Sequence, residues 1–203
     1  MAKKKELTKL EQESYEWYKN VLAKIAGKKY STEYTKMNRR AIKPGSMVAF
    51  KYPNPKTPLK ILRWFDANPL VFIFNIRGNY IHGINLHWAP RKFREIIVKY
   101  IIKINKMNIK KNRRLELSWE MIKDFLRKNG LAHIITKTYI TPRIAGLEYI
   151  KPKDWYKAIH VPSEKFVLRG DLSEDDLYRF IYSHTKKTKS GKNKTGKKKK
   201  INN

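Results

Sequence analysis

Three things are scarce or missing in this sequence, and each narrows what the protein can be. There is no cysteine in 203 residues, which excludes disulfides, thiolate nucleophiles and cysteine-ligated zinc and fits a reducing compartment. Acid is scarce: 17 Asp and Glu stand against 47 Lys and Arg, a formal charge of +30 at pH 7. Self-repulsion on that scale works against a compact state, so a polyanionic partner is the economical explanation. Long apolar runs are missing too, since no stretch approaches the roughly 20 residues that cross a bilayer. The opening MAKKKEL is basic but runs into no apolar segment, so a secretory signal is not expected. Nucleic acid is favoured over membrane as the partner, and no small-molecule substrate is expected.

Catalytic signatures are missing as well. The sequence contains no Walker A loop, no GxGxxG and no HExxH. His82 and His87 are the pair to test, because paired histidines ligate metals or move protons. Read as members of one strand, their spacing sends them to opposite faces, and they cannot share a ligand without a bulge. Asp66 adds one carboxylate, short of the cluster that holds a divalent metal in a nuclease. His87 therefore reads as a structural histidine, bonded to backbone or to Asn85, within a motif of Asp66, Asn85 and His87. No metal, cofactor or catalytic residue is expected. Helix-turn-helix, zinc-finger and RNA-recognition patterns are lacking, so backbone contact rather than base readout is the expected mode.

What is present is concentrated between Ile42 and Pro90. Three runs, around Met47–Tyr52, Leu70–Ile76 and Tyr80–Trp88, are rich in β-branched and aromatic residues. Arg77-Gly78-Asn79 predicts a three-residue hairpin link with a bulged turn. The fold class is α+β: a small twisted antiparallel sheet, of SH3-like half-barrel kind, with flanking helices and a disordered basic C-terminal tail. Residues 1–41 read as an amphipathic helix plus basic connector, 42–184 as the core domain, and 185–203 as the lysine-rich tail. The first helix is predicted over 7–27, with a Thr8/Glu11 capping box and Gly27 at its close. Another runs over about 90–107, and a short one after Ser118 is closed by Gly130. Residues 131–150 read as β-prone pieces, Trp155 sits in a helical turn, and Ser173 starts a helix to about His184.

The helix after Pro90 carries two stripes. Phe93, Ile97, Tyr100, Ile101 and Ile104 make an apolar face, while Lys92, Lys99, Lys103, Lys106 and Lys110 make a basic one. Glu95 alone is acidic between Arg91 and Arg114, which leaves few of the i,i+4 pairs a merely solvated helix would use. The candidate DNA-binding residues are Arg39, Arg40 and Lys43 of the connector, Arg91 and that lysine face, Lys111, Arg113 and Arg114 of a basic link, and Lys197, Lys198, Lys199 and Lys200 of the tail. Among the interleaved aromatics, Phe65, Phe72, Phe74 and Trp88 read as core. Tyr52 and Trp64 are open between core and stacking platform.

One pattern is specific enough to suggest kinship. Pro44-Gly45, Phe50-Lys51-Tyr52, Lys60, Trp64-Phe65-Asp66, Pro69-Leu70-Val71, Gly83, Asn85-Leu86-His87-Trp88 and Pro90 occur in that order. Downstream come Tyr149-Ile150, Trp155, Ala158-Ile159 and Pro162-Ser163-Glu164-Lys165-Phe166. Over roughly residues 42 to 166 the chain resembles the DNA end protector family of small basic virion proteins from T4-like tailed phages. It departs from them in a longer basic N-terminal segment and in the lysine tail. The resemblance implies a phage virion protein that binds linear double-stranded DNA, without sequence specificity, and shields genome ends from exonucleases. It places the protein in the phage head, and in host cytoplasm during assembly, with portal or other head proteins as further partners. A head-completion or neck protein touching DNA in the packaging channel is the alternative. An RNA-binding protein and a basic nuclease are the other classes weighed.

Overall fold

Gly78 and Asn79 reverse the chain between β2 (Leu70–Arg77) and β3 (Tyr80–Asn85), which pair antiparallel. In the computed structural model, which describes residues 6–26, 43–53, 65–105, 111–166 and 178–179, Arg77 pairs directly with Tyr80. The loop is therefore two residues, not the expected three. The bulge lies inside β2 instead, between Ile73 and Asn75. It switches faces: Val71 and Ile73 point to one side of the sheet and Phe72 and Phe74 to the other, but beyond the bulge Ile76 rejoins Ile73.

Three more strands complete the sheet: β1 (Met47–Lys51), β4 (Thr136–Ile140) and β5 (Ala145–Ile150), in the order β4-β3-β2-β1-β5 with every pairing antiparallel. In a flat sheet β1 and β4 would lie about 14 Å apart, three strand spacings. Yet the Phe50 and Tyr139 rings are 4.9 Å apart, and Ile140 N donates to the Tyr52 hydroxyl at 3.2 Å. The sheet curls over this face, enclosing Val48, Phe50, Tyr52, Val71, Ile73, Ile81, Tyr139 and Leu147. Tyr52 is thereby core. Helices cover the opposite face, over Met47, Ala49, Leu70, Phe72, Ile84 and Ile150.

The α-helices of four or more described residues are α1 (Lys9–Ala26), α2 (Arg91–Asn105), α3 (Lys111–Lys128), α4 (Ala132–Ile135) and α5 (Trp155–His160). The capping box of α1 forms: Thr8 N donates to the Glu11 carboxylate at 2.8 Å and Glu11 N donates to the Thr8 hydroxyl at 3.3 Å. Tyr18, Val21 and Ile25 of α1 are buried, while Trp17 and Leu22 pack at the margin. The expected link at 110–114 and the start at Ser118 need correction. Helix α3 begins at Lys111, so Arg113, Arg114 and Ser118 lie within it, because Lys, Arg, Leu and Glu all favour helix and carry it upstream. Its far end has Gly130 at φ +67 with Leu131 N donating to the Leu126 carbonyl at 2.8 Å, a Schellman closure. A second correction concerns the third run. It leaves the sheet at Asn85, and Leu86–Trp88 form a 3-10 turn capped by the Asn85 side chain.

Candidate functional site

Asp66 is the hub of a buried polar cluster at the corner where β3 turns toward α2. Its Oδ1 accepts from Asn68 N at 3.1 Å, and its Oδ2 accepts from Asn85 Nδ2 and from His87 Nδ1, both at 2.9 Å. The carboxylate can only accept here, so the His87 proton sits on Nδ1. Asn85 uses its other end as well: Oδ1 accepts from His87 N at 2.9 Å, and Nδ2 also donates to the Tyr139 hydroxyl at 3.0 Å. The His87 ring is fully buried, stacked against Phe166 at 5.8 Å and met edge-on by Tyr18 at 5.2 Å. Its Nε2 is buried without a hydrogen-bond partner among the described residues. Burial, and then the Asp66 charge, pushes the hydroxyls of Tyr18 and Tyr139 well above the usual phenol pKa, which keeps both neutral. No third His, Asp or Glu joins Asp66 and His87 as a metal-holding group among the described residues. A buried pair of this kind fixes the backbone around it.

His82 is elsewhere, half-buried on β3, with Nδ1 at 2.9 Å from the Thr138 hydroxyl across the ladder. The two histidines do not form one site. Their separation comes from the 3-10 turn, not from strand alternation.

A second knot ties three helices together. Arg91, at the first turn of α2, donates to Glu11 of α1 at 2.7 Å and to Nδ1 of His160 in α5 at 2.6 Å. Nearby Arg94 is buried, donating to the Val161 carbonyl at 2.6 Å. Burial, with Arg91 and Arg94 close by, lowers the His160 pKa and favours the neutral acceptor that Arg91 requires. Arg91 thus ties α1, α2 and α5 together, a structural role beside the DNA contact expected of it.

The exposed basic surface begins beyond that knot. Lys92, Lys99 and Lys103 all stand on the exposed side of α2. Glu95, the one acid of α2, pairs with Lys99 at 2.8 Å, and that hydrogen bond lowers the Glu95 pKa. Lys43 is exposed before β1. Lys111, Arg113 and Arg114 share the opening turns of α3. Arg39, Arg40, Lys106, Lys110 and the tail lysines Lys197 to Lys200 lie outside the described residues, as do Trp64, Gly27 and most of the helix expected from Ser173; Tyr178 and Arg179 are helical.

Some structural residues escape a reading of the sequence. Arg94 falls on one helical face with Ile97, Val98 and Ile101, all buried, and that spacing is the signal that marks it as an arginine turned inward. Glu11 is legible only as a cap, though it also receives Arg91. Tyr139 and Tyr18 give no signal, because nothing in a linear pattern brings them to Asp66.

No curated protein and no solved structure matches the chain. The sequence profile of the family described as Phage T4 terminal DNA protecting protein matches residues 2–179. That span includes the corner at Asp66, Asn85 and His87, the lysine face of α2 and the helical knot behind it. On this match the chain belongs to the phage T4 terminal DNA protecting protein family.

Proposed function

We propose that this protein binds linear duplex DNA through its phosphates and shields the genome ends from exonucleases by occlusion, without reading sequence and without chemistry. Membership of a DNA-terminus-protecting family supports the role. The single observation that carries the binding mode is the exposed face of α2, where Lys92, Lys99 and Lys103 stand out and Glu95 pairs with Lys99. Lysine and arginine neutralise phosphate without sequence information, which fits a protein that must accept whatever sequence ends the genome. The Asp66–His87 dyad supports a positioning role for the motif, because both groups are buried. The partner is DNA at the termini, and the place of action is the phage head, reached through assembly in the host cytoplasm.

Two measurements test the reading. A linear duplex incubated with the protein resists an exonuclease, and Lys92→Glu combined with Lys103→Glu removes that resistance while leaving the fold intact. Binding to duplex DNA weakens with salt at a slope on the order of −5 in log K against log salt, about −0.9 for each phosphate neutralised. A shallow slope, a strong preference for one sequence, or magnesium-dependent cleavage by the protein itself refutes it.

A further inference from the structure

Phosphate contacts run along a duplex and do not distinguish its end from its middle. An end alone presents the flat π face of its last base pair, and aromatic side chains are the usual platforms for such faces. Tyr156 on α5 is 59% exposed, the most of any large hydrophobic side chain among the described residues. Its ring is not loose. His160, one turn further along, lies edge-on at 4.7 Å and 63°, and His160 is held in turn by Arg91. A ring already positioned gives up less freedom on stacking. Charge surrounds it: Lys153 and Lys157 are exposed on either side, Lys157 sharing its charge with Asp154 at 3.6 Å. Helix α5 packs against α2, and Glu95 of α2 is within electrostatic reach of His160. The helix that carries Tyr156 is therefore a packed neighbour of the helix that carries the lysine face.

We propose that Tyr156 is the end-recognising contact, its ring stacking on the terminal base pair while Lys92, Lys153 and Lys157 hold the adjoining phosphates. This rests on the duplex-binding reading and adds the element that separates an end from a middle. Tyr80, 49% exposed beside Arg77 at the β2–β3 turn, is the natural control, being an exposed tyrosine at a distinct place in the fold.

The experiment compares binding of the full chain to a short blunt duplex and to the same duplex sealed at both ends by hairpin loops. Wild type prefers the open duplex. Tyr156→Ala lowers that preference on the order of tenfold, as removal of one base–aromatic stack should, by weakening the open duplex alone. Tyr156→Trp preserves it, and Tyr80→Ala leaves it unchanged. Equal weakening on both duplexes, no weakening on either, or loss through Tyr80 in place of Tyr156 overturns the proposal. If wild type binds both duplexes equally, the stacking contact is wrong while phosphate binding stands. If it binds neither, the duplex-binding reading falls with it.

Discussion

Replacing His87 by alanine should remove a large share of the protein's stability while leaving the exposed lysine face of α2 unaltered. The ring is fully buried, its Nδ1 hydrogen bond to Asp66 spans 2.9 Å, and Phe166 and Tyr18 pack against it. Deleting a donor to a buried carboxylate costs about 1.5–3 kcal/mol. The cavity left by the ring adds about 2 kcal/mol, at the low end for large-to-small core changes. The sum, about 3.5–5 kcal/mol, is a large share of the about 5–15 kcal/mol that holds an ordinary domain together. His87→Gln keeps an N–H for Asp66 and fills part of the space, so its destabilisation should be about half as great, still roughly 1–3 kcal/mol. Urea unfolding followed by tryptophan fluorescence reads both, provided the slope with denaturant is unchanged. Duplex binding, normalised to folded protein, should match wild type in both variants. The reasoning is refuted if His87→Ala unfolds at the wild-type midpoint yet no longer binds DNA, or abolishes a cleavage activity present in wild type. That pattern would make His87 a site residue and reopen the question of chemistry.

Gly83→Ala should destabilise by about 1–3 kcal/mol through overpacking, because a Cβ there would stand 2.3 Å from Val71 Cγ1 and 2.8 Å from the Phe72 carbonyl oxygen; a neutral urea midpoint would contradict the packing. His160 resists protonation in the folded state, so its contribution is fully present above the ordinary histidine value of 6.5 and is lost as pH falls through its lowered folded value. The thermal midpoint should therefore decline below about pH 6.5, and His160→Gln should flatten that decline. Deleting residues 185–203, which hold many lysines and almost nothing apolar, should reduce the salt slope by about 0.9 for each phosphate those lysines neutralise and leave the melting temperature in place. A lower melting temperature in the truncated chain would show that the segment packs.

Local rules make much of this fold legible in the sequence, and non-local ones set the limit. The capping box at Thr8, the apolar face of α1, the reversal at Gly78 and the Gly130 closure are short-range devices, and each appears where the residues put it. The third run reads as strand past Asn85 because its composition stays apolar and aromatic through Trp88. What ends the strand is one side chain bonding its own backbone two residues on. Arg91 looks in sequence like any exposed cation at a helix start. Only the tertiary structure sets Glu11, 80 residues earlier, and His160, 69 residues later, on either side of it. The lysine face of α2 is legible because solvent-facing charge needs no partner to be recognised. The Asp66 hub is legible in its members but not in its shape, since Tyr139 joins it from β4 and Tyr18 from α1.

The most specific block of the sequence is a corner, and its buried hydrogen bonds give so particular a motif a structural reason. Asn85 caps the turn and Asp66 pins His87. The Tyr178 hydroxyl donates to the Ala89 carbonyl at 2.6 Å and reaches the His87 carbonyl at 3.3 Å. Lys137 lies over the Trp88 ring at 5.2 Å, with burial lowering its pKa. Two residues later Pro90 opens α2, its carbonyl accepting from Phe93 and Arg94. Everything in this corner therefore bears on the direction in which α2 leaves the sheet. A helix of 15 residues is about 22 Å long, so a tilt of about 20° at its root would carry its far end by about 8 Å. On the proposed binding mode, a lysine displaced that far would no longer meet the phosphate its neighbours reach. Buried polar groups are costly unless paired. Although His87 Nε2 has no partner among the described residues, the several bonds converging on Asp66 and Asn85 leave few alternative geometries. The motif devotes its polar residues to aim, and the exposed lysines of α2 sit on the element being aimed.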